Sequence, residues 1–349
     1  MLDDLKMIHD RDAQDALGIA QKQWQQLKTV YDVNLPDDFT DADIGNVVLG
    51  GMGGSALAAE IATAWPGIKK PFEIVKGYDL PEYVSGKTLF VASSYSGNTE
   101  ETLSALEEAE SRGAKIVVIC AGGKLTKKAE ENNYPLYKIP NGFQPRMAVF
   151  YNLAAVVQLF ESASLSGKGK IAELKETADW LGDKGKELLA DVPANSNIAK
   201  KIAQELVGNS IVIYSGPKLF PAAYKWKINF NENAKNIAWC NYLPEFNHNE
   251  FLGWTSHPVE KPYKIVDIRS SLEHPRIQTR FEISEKLLSG KRPYPETIIP
   301  EGDTLLKQLL WTIQLGDFVS LYLAILNGLN PTPVELIEKL KAELQTIQD

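Results

Sequence analysis

Cysteine is nearly missing: two thiols, Cys120 and Cys240, stand far apart among 349 residues. That excludes a disulfide-stapled scaffold and a Cys-rich metal module, and it reads as the reduced thiols of a cytoplasmic protein. Histidine is scarce as well, with four, and no HxH, HExxH or clustered-carboxylate pattern marks a metal. No run approaches the ~20 consecutive apolar residues that span a bilayer, and the acidic start MLDDLKMIHD lacks a signal-like apolar stretch, so no membrane contact is expected. Positive charge is short too. The 37 Lys and Arg face 45 Asp and Glu, a net −8, with no block of five or more basic residues. Phosphate backbones would be repelled, so no nucleic-acid partner is expected and a small ligand fits better. What remains is ordinary globular composition, 44% hydrophobic and 23% charged. At ~150 residues per domain the chain makes about two domains.

Residues 1–30 place Leu2, Leu5, Ile8, Ala13, Leu17, Ile19 and Leu27 at roughly helical spacing, which predicts an amphipathic lead-in helix. Residues 44–49 form a short apolar run that ends in Gly50-Gly51-Met52-Gly53-Gly54-Ser55 and leads into a helical stretch, 56–65. The same order of strand, polar loop and helix recurs at 88–93, 94–99 and 100–109, and another buried strand follows at 114–120. From 147 to about 205 the pattern is helical, with a charged stretch at 168–187 that reads as a solvated connector. Strand signals resume at 210–214 with Ser215-Gly216-Pro217 directly after, then a helix at 219–235, a strand at 264–268 and a helical region from 303 to 345. Strands alternating with helices predict an α/β fold of two doubly wound domains, each a parallel sheet flanked by helices. The expected boundaries are 1–40 for the lead-in, 41–165, 166–205 for the connector and 206–349.

Glycines at 50–54 let a backbone approach a phosphate at a helix start, although the loop matches neither GxGxxG nor the Walker pattern. A tight strand-to-helix turn explains such a loop equally well. The second loop adds weight, because Ser94, Ser96 and Thr99 offer three hydroxyls within six residues at a helix start. Without a neighbouring Lys or Arg, that set suits a sugar phosphate better than a magnesium-bound triphosphate. The competing explanation is capping: Asn98 with Glu101 three residues on approximates a capping box.

The segments GMGGSALAAE and SSYSGNTEET resemble the signature loops of the SIS (sugar isomerase) domain. The tandem layout is similar to that of the bifunctional phosphoglucose/phosphomannose isomerase family. The resemblance extends through NGFQPRMAVFYNL, NFNENAKNIAWCNYLPEFNHNE and the closing NPTPVELIEKLKAEL, from about residue 45 to the end. It implies two SIS-type domains, hexose 6-phosphate substrates, no cofactor, metal-free enediol chemistry and a homodimer. Phosphate would lie on Gly53, Gly54, Ser55, Ser94, Ser96 and Thr99.

Moving a carbonyl between C1 and C2 needs a ring opener, a base and a cation near the enediolate oxygens. Glu232 is the candidate base, set among Phe230, Asn231, Asn233 and Ala234; an exposed helix glutamate is the plain alternative. His248 lies in the polar stretch 246–250, and an imidazole suits proton shuttling at the ring oxygen; a helix cap or interface is the plain alternative. The resemblance implies that His248 reaches the neighbouring subunit's site. His9, His257 and His274 carry no comparable case, the last two preceding prolines as in turns. Arg146 would supply a fixed planar cation, against a structural salt bridge. For ring opening the last helix offers Lys339 and Lys341, about 200° apart around it. Lys339 is favoured because it follows Thr332 by seven residues, a separation similar to the family's, and Lys341 competes. The resemblance makes Thr332 a small residue that leaves room for either C2 configuration; capping of the closing helix is the alternative. Two other classes stand beside this one: a non-catalytic sugar-phosphate sensor, and an isomerase of another sugar phosphate.

Overall fold

The computed structural model describes residues 1–256, 262–344 and 346. His257 lies outside the described residues. The chain forms two compact units, one of residues 21–184 with 301–311, the other of residues 1–20, 185–300 and 312–349.

The lead-in is three short pieces: α1 (Leu5–Arg11), α2 (Ala16–Lys22) and a 3-10 turn, Gln23–Lys28. One continuous helix is prevented by two aspartates. Asp12 turns its carboxylate onto the amides of Ala16 and Leu17, both at 2.8 Å, starting α2 afresh. Asp15 adopts a left-handed backbone, φ 53°, between the two helices.

The first unit then runs β1 (Asn46–Gly50), α3 (Gly53–Ala64), β2 (Phe72–Val75), β3 (Thr88–Ser94), α4 (Glu100–Ser111), β4 (Lys115–Cys120), α5 (Gly123–Asn132) and β5 (Leu136–Lys138). A 3-10 turn, Pro145–Met147, precedes α6 (Val149–Ser162) and α7 (Lys170–Gly185). The five strands are parallel in the order β2-β1-β3-β4-β5. Every residue of β3 is buried, as expected of a central strand covered on both faces. Val48, Phe90, Val118, Leu106 and Leu125 pack into one core cluster. Leu174, Thr177, Ala178 and Leu181 of α7 are buried at helical spacing, so the charged stretch is the outer face of a packed helix, not a solvated connector.

The second unit holds α8 (Ile198–Leu206), β6 (Ser210–Ser215), α9 (Phe220–Glu232), β7 (Ala238–Tyr242), α10 (Glu250–Gly253), β8 (Tyr263–Ile268), α11 (Pro275–Leu287) and β9 (Glu296–Ile298). Its four strands are parallel in the order β7-β6-β8-β9. α12 (Leu305–Leu326) begins in the first unit and ends in the second, and α13 (Glu335–Leu344) closes the chain. By length and composition α12 is apolar enough to cross a membrane, yet 94% of its most apolar window is buried inside the protein, the place of a core helix.

Candidate active site

In each sheet the chain lays its second strand on one side of the first and its third strand on the other. The crevice at the carboxyl end of such a pair is where doubly wound sheets bind ligands. In the first unit the pair is β1 and β3, so the glycine loop and the serine loop meet there. The Ser55 hydroxyl accepts from the Tyr95 amide at 2.9 Å, and Ser93 Oγ donates to the Ser55 carbonyl at 3.3 Å, locking one loop to the other. Ser94 Oγ lies 2.7 Å from Thr99 Oγ1 and 3.5 Å from Ser96 Oγ, which brings the three predicted hydroxyls into one cluster. The amides of Gly97 and Asn98 donate back to Ser94 and Ser96 at 3.1 and 3.2 Å.

Asn98 does not cap α4. Thr99 holds the cap position without a side-chain capping bond. The Asn98 carboxamide instead accepts from the Lys124 amide at 2.9 Å, tying the serine loop to the start of α5, just after β4. Gly97 belongs to the same tie: its φ is +69°, and a Cβ there would stand 1.7 Å from the Gly122 carbonyl oxygen. Gly54 is needed for close approach. A Cβ on it would lie 2.6 Å from the Pro145 carbonyl and 2.8 Å from the Arg146 nitrogen. The glycine loop and the buried Arg146 are therefore backbone neighbours in this unit.

The second unit separates its candidates. α9 runs back against β6, so Glu232, half-buried at the end of α9, lies at the amino ends of the strands. Asn236 Nδ2 donates to the Asn209 carbonyl at 2.9 Å and the Ala238 amide to Asn231 Oδ1 at 3.0 Å, which fixes this turn beside the start of β6. The Lys235 ammonium holds the same turn to the carbonyls of Asn330 and Pro331, just before Thr332. Thr332 thus joins the Glu232 end of the unit. It stands ahead of the α13 start at Glu335 rather than at its cap.

His248 closes a 3-10 turn, Glu245–His248, past the carboxyl end of β7. A five-residue strand, about 16 Å long, lies between the end that carries Glu232 and the end that carries His248. The His248 segment is braced. The Phe246 ring packs at a tilt against Tyr214 with centroids 4.4 Å apart, Asn247 bonds Ser284 at 2.9 Å, and Glu250 accepts from Tyr214 and, at 2.7 Å, from Asn241. His248 itself is exposed. His274 caps α11, accepting from the Arg276 amide at 3.2 Å. Lys339 and Lys341 both stand on α13, which buries no side chain; Lys341 pairs with Glu338 at 2.9 Å.

At the β6/β8 crevice the protein supplies its own anion. Glu273, 7% exposed, accepts from the Lys218 amide at 2.8 Å, and its carboxylate fills the space a Cβ on Gly216 would need. Burial pushes this carboxyl above its ordinary range, opposed by the amides of Lys218 and Leu219. The loop that mirrors the glycine loop in sequence is therefore occupied in the second unit.

Residues 41–160 match the SIS domain family, and residues 195–344 match the bacterial phospho-glucose isomerase C-terminal SIS domain. The bifunctional phosphoglucose/phosphomannose isomerase of Caldicellulosiruptor bescii is 36% identical over 93% of this chain and 97% of its own. The enzyme of the same name from Aquifex aeolicus is 36% identical over 86% and 90%. The chain belongs to the bifunctional phosphoglucose/phosphomannose isomerase family. Its fold is that of a glucose-6-phosphate isomerase like protein from Thermus thermophilus, with a TM-score of 0.64 at 18% identity, covering 97% of this chain and 98% of that one.

Within this bifunctional phosphoglucose/phosphomannose isomerase fold, sequence reasoning passed over Gly97 and Lys235 and offered Asn98 only a capping role. Gly97 and Asn98 sit inside a quoted motif, but their partners, Gly122 and Lys124, follow a different strand. Lys235 had one available signal, a cation just past a helix end, where unpaired carbonyls gather.

Proposed function

We propose that this protein interconverts fructose 6-phosphate with glucose 6-phosphate and mannose 6-phosphate, without a cofactor or metal. The observation that carries the reading is the cluster of Ser94, Ser96 and Thr99 hydroxyls at the uncapped start of α4, in the β1/β3 crevice. Hydroxyls and first-turn amides there suit a phosphate dianion. Gly53, Gly54 and Ser55 extend the cradle, and the approach of Gly54 to Arg146 supports placing the guanidinium near the same sugar.

In the proposed reaction Lys339 assists ring opening, a role supported by the pairing of the competing Lys341 with Glu338. The Glu232 carboxylate takes the C1 proton of the open ketose, giving an enediolate whose charge Arg146 offsets. The same carboxyl returns the proton at C2 while the O1 hydroxyl proton passes to O2, leaving C1 as the aldehyde and O2 as a hydroxyl, so atoms balance. Delivery to either face of C2 yields the glucose or the mannose configuration, and Thr332 leaves room for both. His248 moves the proton at the ring oxygen. Its placement at the far end of β7 from Glu232 supports a homodimer in which each His248 serves the partner subunit's sugar.

Purified protein given fructose 6-phosphate in EDTA is expected to form both aldose phosphates, quantified separately. Glucose 6-phosphate alone would remove the permissive role of Thr332. Phosphosugar binding without turnover would overturn catalysis in favour of a sensor.

A further inference from the structure

Lys235 follows Glu232 by three residues and has a left-handed backbone, φ 51°. Its ammonium donates to four carbonyls: Glu232 at 3.0 Å, Asn233 at 3.2 Å, Asn330 at 3.0 Å and Pro331 at 3.1 Å. Three N–H groups serving four oxygens share donors, so the ammonium bridges backbone carbonyls of two segments. Two of those carbonyls belong to the last residues of α9 and its cap, where helical carbonyls lack intrahelical partners and the dipole is negative. The other two immediately precede Thr332. One cation therefore closes the end of the helix that carries Glu232 and holds it against the segment that carries Thr332.

We propose that Lys235 is a positioning residue that sets the separation between the Glu232 carboxylate and Thr332. The inference rests on the roles given above to those two residues. A proton carried between C1 and C2 needs the carboxylate placed over both carbons, and the choice of C2 face depends on where the Thr332 side begins. Lys235 touches neither substrate nor proton; it acts through the backbone on both groups. A displacement of about 1 Å at a reacting group can lower turnover ~100-fold.

The test compares wild type, Lys235→Ala and Lys235→Arg by thermal melting, kcat, KM and the ratio of glucose 6-phosphate to mannose 6-phosphate formed. Lys235→Ala is expected to lower kcat by about 10- to 100-fold with a smaller change in KM, and to shift the product ratio. Lys235 is exposed, so a small cation can enter the space left in the alanine variant. Propylammonium chloride is expected to restore part of kcat and of the ratio, whereas tetramethylammonium chloride, which has no N–H, is not. Lys235→Arg keeps the charge but presents a planar donor set that does not match four converging carbonyls, and falls between the two. Wild-type kcat and product ratio in both variants would overturn the proposal, and so would loss of folding in both, which would make Lys235 a requirement of the fold alone. Absence of turnover in the wild type would instead overturn the parent reading.

Discussion

Gly54 shows how a single hydrogen in place of a methyl can set a site. A Cβ there meets backbone atoms of Pro145 and Arg146 rather than the end of a flexible side chain, so neither partner yields cheaply. Gly54→Ala is expected to cost about 1–3 kcal/mol of stability by overpacking, read by thermal melting. It should also raise KM for the sugar phosphate by displacing Arg146. A variant with unchanged melting and unchanged KM would show that the two segments separate freely. The same scale explains which candidates could be read from the sequence. Ser94, Ser96 and Thr99 lie within six residues, and the start of one helix gathers them. Lys235 was passed over because its partners, Asn330 and Pro331, are far along the chain.

At the scale of elements, the four-stranded sheet is braced by charge. Asp267 on β8 is fully buried and accepts from Arg269 at 3.0 Å, and Arg269 also bonds Glu285 of α11 at 2.6 Å. The hydrogen bond from Tyr294, then that from Arg269, holds the Glu285 carboxyl below its ordinary range, whereas burial pushes Asp267 above its own. The signs oppose. A carboxyl lowered on folding adds stability that is present above about pH 4.5 and lost as pH falls through its folded value. A carboxyl raised on folding binds its proton more tightly in the native state and offsets part of that loss. Wild type is therefore expected to lose melting temperature below pH 4.5 more steeply than Glu285→Gln, which starts lower at neutral pH. Parallel curves would exclude Glu285 as the titrating group. Inner strands β1, β3, β4, β6 and β8 were legible because burial on both faces makes each a continuous apolar run. Edge strands β2, β5, β7 and β9 were not, since short half-exposed segments look like loops until a neighbour supplies their hydrogen bonds.

For the whole molecule, the placement of Glu232 and His248 at opposite ends of β7 leads to a test of site sharing. In the proposed homodimer, the Glu232→Gln and His248→Ala proteins are each expected to be nearly inactive alone. Mixed dimers are expected to regain activity, because one of their two sites pairs an intact Glu232 with an intact His248. No recovery on mixing would show that each subunit uses its own histidine. The sequence by itself determined the alternation of strand and helix, the two parallel sheets and the hydroxyl cluster, because each depends on contacts among near neighbours or on burial of a whole segment. Only the tertiary structure decided that Gly54 abuts Arg146, that Lys235 grips the Thr332 segment, that Glu273 occupies the second crevice and that a strand's length separates Glu232 from His248. Those facts depend on crossovers that return distant segments to one another, and sixteen residues of sequence do not reveal that a strand carries the chain to the opposite end of its sheet.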